Sequence, residues 1–137
     1  MKTTLAVMVL AAAILLCACG GGDPASEARA TVQTLIDAIA AQDISKANAQ
    51  ILPSELAGNE LGPSFGDASK GKLSMATSMV VPQGDAVTVY VKITMTLGDK
   101  VNSHYTPYVC AKENGRWYIS PNRTKAALGQ PMPAGLK

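Results

Sequence analysis

The stretch Asp85-Ala86-Val87-Thr88-Val89-Tyr90-Val91-Lys92-Ile93-Thr94-Met95-Thr96-Leu97 decides the fold. From Val87 on it alternates strictly. Val87, Val89, Val91, Ile93, Met95 and Leu97 fall on one side, and Thr88, Tyr90, Lys92, Thr94 and Thr96 on the other. Successive side chains of a strand point to opposite faces, so this is a strand with one buried face. Upstream, from Lys72, the same period places Leu73, Met75, Thr77, Met79 and Val81 against Ser74, Ala76 and Ser78. Downstream, a third strand is predicted from Val101 to Lys112. Asn114-Gly115 then marks a type I′ turn, and Arg116 to Ser120 forms a fourth strand.

Register follows from the turns. With Asn114-Gly115 as a two-residue loop, Cys110 opposes Ile119 and Lys112 opposes Trp117, and directly opposed residues share a face. A turn at Gly98-Asp99 or at Asp99-Lys100 gives the same parity. The core face is then Val87, Val89, Val91, Ile93, Met95, Tyr108, Cys110, Trp117 and Ile119. For Met75, Met79 and Val81 to join it, the first hairpin needs an odd loop such as Gln83-Gly84-Asp85. Pro107 cannot donate a ladder hydrogen bond, which predicts a bulge or an unpaired stretch there.

Ahead of the strands the period is helical. Asp23-Pro24 reads as an N-cap followed by Pro at the first helical position. Ala28, Val32, Leu35, Ile36 and Ile39 then form one apolar stripe in a helix running to about Gln42. Asp43 caps a shorter helix carrying Ile44, Ala47 and Ile51, and Pro53 stops it. Pro53, Gly58, Gly62, Pro63, Gly66 and Gly71 mark a long loop that Phe65 pins to the body. The fold class is therefore α+β: a helix pair over residues 24–52, packed on one face of a curved four-stranded antiparallel meander. The domain spans 24–120, and 121–137, with Pro121, Pro131 and Pro133, reads as a flexible tail.

The chain has 137 residues, enough for one domain. Its 47% hydrophobic content is inflated by residues 1–18, of which 15 are apolar. Met1-Lys2-Thr3-Thr4 followed by an apolar run from Leu5 to Leu16 is a signal-peptide pattern, too short for a membrane span. Leu16-Cys17-Ala18-Cys19 resembles the lipobox of bacterial lipoproteins. Ala18 supplies the small residue before Cys19, whereas bulky Leu16 makes Cys17 a poor match. Residues 1–18 thus read as a lipoprotein signal peptide. Residues 19–23 read as a lipidated Cys19 and a Gly-rich tether. Acylated Cys19 (a diacylglyceryl thioether, with palmitate-type chains) makes the lipid bilayer a partner. Gly20, where Asp resembles an inner-membrane retention signal, points to the outer membrane facing the periplasm in a Gram-negative host.

Twelve Lys and Arg against ten Asp and Glu lack the clustered basic surface of a nucleic-acid protein, so no nucleic-acid partner is expected. Processing leaves Cys19 and Cys110, with no Cys-x-x-Cys and no Cys/His cluster, so neither a zinc site nor another cofactor is implied. There is no Gly-rich phosphate loop and no nucleophile motif.

Ala38-Ile39-Ala40-Ala41-Gln42-Asp43-Ile44-Ser45-Lys46-Ala47, the alternating strand, and Glu113-Asn114-Gly115-Arg116-Trp117-Tyr118-Ile119 together resemble small lipoproteins of the nuclear transport factor 2-like superfamily. The resemblance implies an α+β cone over about residues 24–120. A cystatin-like module shares the layout. Enzymes of that superfamily, ketosteroid isomerases and dehydratases among them, use Asp, His or Tyr inside the cone for proton transfer. On that implication His104, the only histidine, is the candidate acid–base group, with Asp37 and Tyr108 as partners. The bland alternative is an exposed histidine at the sheet's rim. Tyr90, Tyr105 and Tyr118 share the opposite parity and form a candidate aromatic binding patch around Val109. The favoured reading is a membrane-anchored, non-catalytic module that binds an envelope protein or a small ligand. An isomerase- or dehydratase-type enzyme with a pocket between helix 1 and the sheet, and a cystatin-like inhibitor of an envelope enzyme, are the alternatives.

The lipobox reading has a direct check. Cys19→Ala should abolish incorporation of a labelled fatty acid, and Cys17→Ala should leave it intact. The reverse pattern would place the acyl anchor on Cys17.

Overall fold

The structure is a computed structural model that describes residues 22–63 and 71–136. The leader, Cys17, Cys19 and Phe65 lie outside the described residues. Helix α1 covers Pro24–Ala40. The Asp23 carboxylate accepts hydrogen bonds from the Ser26 N–H (3.3 Å) and hydroxyl (3.0 Å), satisfying a donor the first turn leaves open. The helix ends just short of Gln42 in a Schellman turn. The Gln42 N–H donates to the Ile39 carbonyl (3.0 Å) and the Asp43 N–H to that of Ala38 (2.8 Å). The turn puts Gln42 at φ 57°, the left-handed region where glycine is usual. Asp43 then accepts from the Lys46 N–H (3.0 Å) and starts α2, Ile44–Asn48. Ile51 lies beyond α2, in a parallel bridge to Ile119. Pro53 opens a 3₁₀ turn, Pro53–Glu55.

Four strands follow in meander order: β1 Lys72–Gln83, β2 Ala86–Leu97, β3 Lys100–Glu113 and β4 Arg116–Ile119. Each hairpin closes with a two-residue turn, the flanking pairs being Gln83–Ala86, Leu97–Lys100 and Glu113–Arg116. Asn114 and Gly115 take φ of 50° and 78°, as a type I′ turn demands. Cys110 opposes Ile119 and Lys112 opposes Trp117, as the sequence predicts.

The inner face of the sheet carries Val87, Val89, Val91, Cys110, Trp117 and Ile119. They bury against Ala28, Val32, Leu35, Ile36 and Ile39 of α1 in one continuous core. Burying an aliphatic side chain of this size contributes about 1.5–3 kcal/mol. Val32, Val87, Val89 and Val91 are all fully buried, which makes the α1–β2 contact the energetic centre of the domain.

Four expectations need correction. First, the β1–β2 turn is even, Gly84-Asp85. The odd residue sits instead in a bulge, where the register shifts between Thr77 (opposite Val91) and Val80 (opposite Val89). Met75 and Val80 therefore reach the core, and Met79 and Val81 take the other parity. Arg29 holds the bulge, its Nε donating to Thr77 Oγ1 (3.2 Å) and its Nη2 to the Ser78 carbonyl (3.2 Å). Second, Pro107 pairs in register with Tyr90 and breaks nothing. Val109, two residues on, turns its N–H away from β2 to Thr124 Oγ1 (3.0 Å). By the two-residue period the Pro107 nitrogen also faces away, and β4 pairs only Cys110–Glu113. The missing donor costs no ladder bond.

Third, Met95 is 47% exposed. A 17-residue helix spans roughly 25 Å, while a 12-residue strand spans roughly 40 Å. The β2–β3 hairpin thus outruns its helix. Fourth, the chain does not fray at Pro121, which is the first residue of helix α3, Pro121–Ala127. The Ser120 hydroxyl accepts from the Arg123 N–H (3.2 Å) and donates to the Glu55 carboxylate (2.9 Å). That carboxylate also accepts from the Asn122 N–H (3.1 Å). The Asp85–Arg123 ion pair beside it (3.1 Å) is exposed on both sides and contributes little.

Trp117 offers a test of the packing. It is buried against α1, yet its Nε1 is buried without a hydrogen-bond partner among the described residues. Trp117→Ala should destabilise by about 3–5 kcal/mol. Trp117→Phe, which deletes the unpaired N–H, should cost distinctly less. Denaturant midpoints of the two variants check this, and equal losses would mean that the N–H carries the contribution.

Candidate functional site

A groove opens where α1 and β1 part. β1 runs antiparallel to α1, and the C-terminal half of the helix overlies the first residues of the strand. Between them lies a space of about 700 Å³, within the range of small-molecule sites. Its floor is apolar: Ile36 and Ile39 from α1, and Leu73 and Met75 from the inner face of β1. Ala40 leaves room on the helix side because nothing extends past its Cβ. The rim is polar, with Gln33, Asp37, Gln42, Lys72 and Ser74. Asp37 Oδ1 accepts from Gln33 Nε2 at 2.9 Å. Gln42 reaches the rim in its left-handed conformation, its amide donating to the Ile39 carbonyl (3.2 Å). Asp37 and Lys72 are both exposed and form no ion pair with each other. An apolar floor with one carboxylate and one ammonium at its lip can hold a small amphipathic molecule by burial and orient it by its polar end.

Of the residues picked out from the sequence, Asp37 alone lines this groove. His104 opposes Ile93, which opposes Met75. It therefore shares an inner-face row with the groove's floor but stands two strands away, roughly 10 Å across the ladder. It is exposed, and its imidazole makes no hydrogen bond or ion pair among the described residues. Tyr108 opposes Val89 and packs at the edge of the core, and burial raises its hydroxyl pKa above the ordinary value. His104, Asp37 and Tyr108 are not brought together. Cys110 is fully buried, and desolvation pushes its thiol up to about 12. It stays neutral and inert near neutral pH.

Tyr90, Tyr105 and Tyr118 share the outer face, as the alternation predicts, but they do not form an open patch. Tyr90 is 8% exposed, and Tyr105 and Tyr118 are half-buried. The C-terminal segment reaches this face at two points. Thr124 bonds to Val109, and a Cβ placed on Gly135 would lie 3.5 Å from Met79 Cε. Arg116 stacks its guanidinium 5.0 Å from the Tyr118 ring centre. Among the described residues no group of three His, Cys, Asp or Glu side chains could hold a metal ion, and no helix is long and apolar enough to cross a membrane.

The sequence reading did not single out Gln33, Gln42, Lys72, Leu73 or Ser74 as site residues. The usable signal was Leu73 and Met75 on the core parity of a strand that begins beside the end of α1.

The architecture is a nuclear transport factor 2-like fold: among the described residues, three helices with a curved four-stranded antiparallel sheet. A protein of that description and of unknown function from Shewanella oneidensis superposes with a TM-score of 0.52. It shows 13% identity over 71% of this chain and 94% of the other. A protein from Rhodopseudomonas palustris described as containing a SEC-C motif gives a TM-score of 0.57. Its identity is 18%, over 72% of this chain and 78% of the other. At such identities the likeness is one of fold alone. No protein-family model matches the chain, and the comparison with curated proteins found no match.

Proposed function

We propose that this chain is an envelope lipoprotein whose domain binds a small amphipathic ligand in the α1–β1 groove without transforming it. The observation that carries the reading is the composition of the groove. Four apolar side chains form its floor, and its only acid–base groups among the described residues, Asp37 and Lys72, stand exposed at the rim. Proton transfer in a superfamily enzyme needs polar groups converging in a cavity that excludes water. The anchoring half of the proposal rests on the leader. Cleavage before Cys19 and its acylation leave a tether of Cys19 to Asp23, which spans at most roughly 17 Å and keeps the domain near the bilayer. The outer membrane facing the periplasm is the proposed location.

An isomerase- or dehydratase-type activity is the second reading, and the position of Asp37 on the groove favours it. The two readings part at Asp37→Asn, which an enzyme does not survive and a binding module does.

The groove itself is tested with N-phenyl-1-naphthylamine, an apolar fluorescent probe. Ala40→Trp fills the groove from an exposed position at the end of α1. It should weaken probe binding at least about tenfold, since a probe of that size gains several kcal/mol from burial, with an unchanged melting temperature. Unchanged probe affinity in Ala40→Trp would contradict the assignment.

A further inference from the structure

On the β3–β4 side of the sheet, one stretch of backbone edge is met by no hydrogen bond among the described residues. On β4 the edge is taken by the chain at residues 50–52: the Leu52 N–H donates to the Ile119 carbonyl and the Ile119 N–H to that of Gln50, both at 2.8 Å. On β3, Val109 is also taken, its N–H by Thr124 Oγ1 and its carbonyl by the Ser120 N–H (2.8 Å). Residues at even spacing from Val109 turn their backbone groups the same way. Pro107 has no N–H and is fully buried. That leaves Tyr105, Ser103 and Val101, whose outward N–H and C=O groups no hydrogen bond among the described residues reaches. Exposed edges of this kind pair with another strand unless they are blocked. Val101 beside this edge is 67% exposed.

We propose that a second copy of this chain pairs with this edge, antiparallel, with the two-fold axis at Ser103. Three features of the strip fit a copy of itself. With Ser103 opposite Ser103, Val101 falls opposite Tyr105 in both directions, a β-branched–aromatic pair of the kind that stabilises adjacent strands. All three outward N–H groups and all three C=O groups then find partners. The ends match as well. Pro107, which cannot donate, and Asp99, in the turn just before β3 begins, lie equally far from Ser103. Each chain's missing donor therefore meets the point where the other strand begins. On the inner face His104 meets Asn102 and Lys100 meets Thr106, so no like charges oppose one another. The interface is isologous, as a closed dimer requires, and it leaves the α1–β1 groove at the opposite edge of the sheet free. The inference does not rest on the ligand proposal.

A register that places residue 103 against itself has a specific signature. Two differently tagged copies of the full chain, co-expressed and recovered through one tag, report the pairing. Wild-type copies should co-purify. Ser103→Lys in both copies, or Ser103→Asp in both, sets like charges directly opposite and should reduce recovery at least about tenfold. One copy carrying Ser103→Lys and the other Ser103→Asp should restore it. The restoration also shows that each variant folds. As a second measurement, a photo-crosslinking residue at position 103 should yield a product of twice the chain mass, and one at exposed Ser45 should not. Wild-type copies that fail to co-purify, a mixed pair that stays apart, or a crosslink at 103 to a different protein would each overturn the proposal.

Discussion

The contact between the α1 stripe and the valines of β2 sets the terms for the rest of the domain. Val87, Val89 and Val91 must all face Ala28, Val32, Leu35, Ile36 and Ile39, and a one-residue slip would turn all three outward. The neighbouring strands adapt to that parity. β3 and β4 meet it with even turns. β1 enters on the matching parity at Met75 and leaves through an even turn, so it absorbs one extra residue, and the bulge between Thr77 and Val80 supplies the place. Arg29, projecting from the helix itself, binds the bulge, so the helix both imposes the parity and holds the correction.

Lengths do the rest. The sheet is longer than the helix, so core packing ends partway along β2 and β3. At one side of that boundary α1 closes in its Schellman turn over the start of β1, and the α1–β1 groove forms. At the other side the β2–β3 hairpin projects, with Leu97 63% exposed. Groove and free edge are two consequences of one mismatch. The outer face is managed differently. Glu55 gathers the Ser120 hydroxyl and the Asn122 N–H at the start of α3, which directs the C-terminal segment onto the sheet and buries Thr88, Tyr90, Val109 and Ala111.

Much of this was legible in the residues. Asp23-Pro24 and Asp43 are caps whose chemistry is local, Asn114-Gly115 dictates its own turn, and the alternation from Val87 fixes two faces without reference to anything distant. What the sequence concealed depends on tertiary distance. A parity defect is visible as a conflict between Met75 and Val81, but whether a turn or a bulge resolves it depends on Arg29, more than forty residues away. Pro121 reads equally as a breaker or as a helix start, and the arbiter is Glu55. Asp37 was named for a catalytic partnership with His104 that the sheet keeps apart. The groove's other residues carry no motif, since an apolar floor uses the same side chains as a core.

Amide-resolved hydrogen exchange on the native protein tests the dependence of the domain on the α1–β2 contact most directly. The slowest amides are expected in Val32–Ile36 and Val87–Val91, exchanging only on global unfolding. Those of Thr94–Leu97, in the same ladder but beyond the helix, should exchange faster through local opening. Equal protection along the whole of β2 would show that the sheet holds itself together without the helix, and would contradict the account.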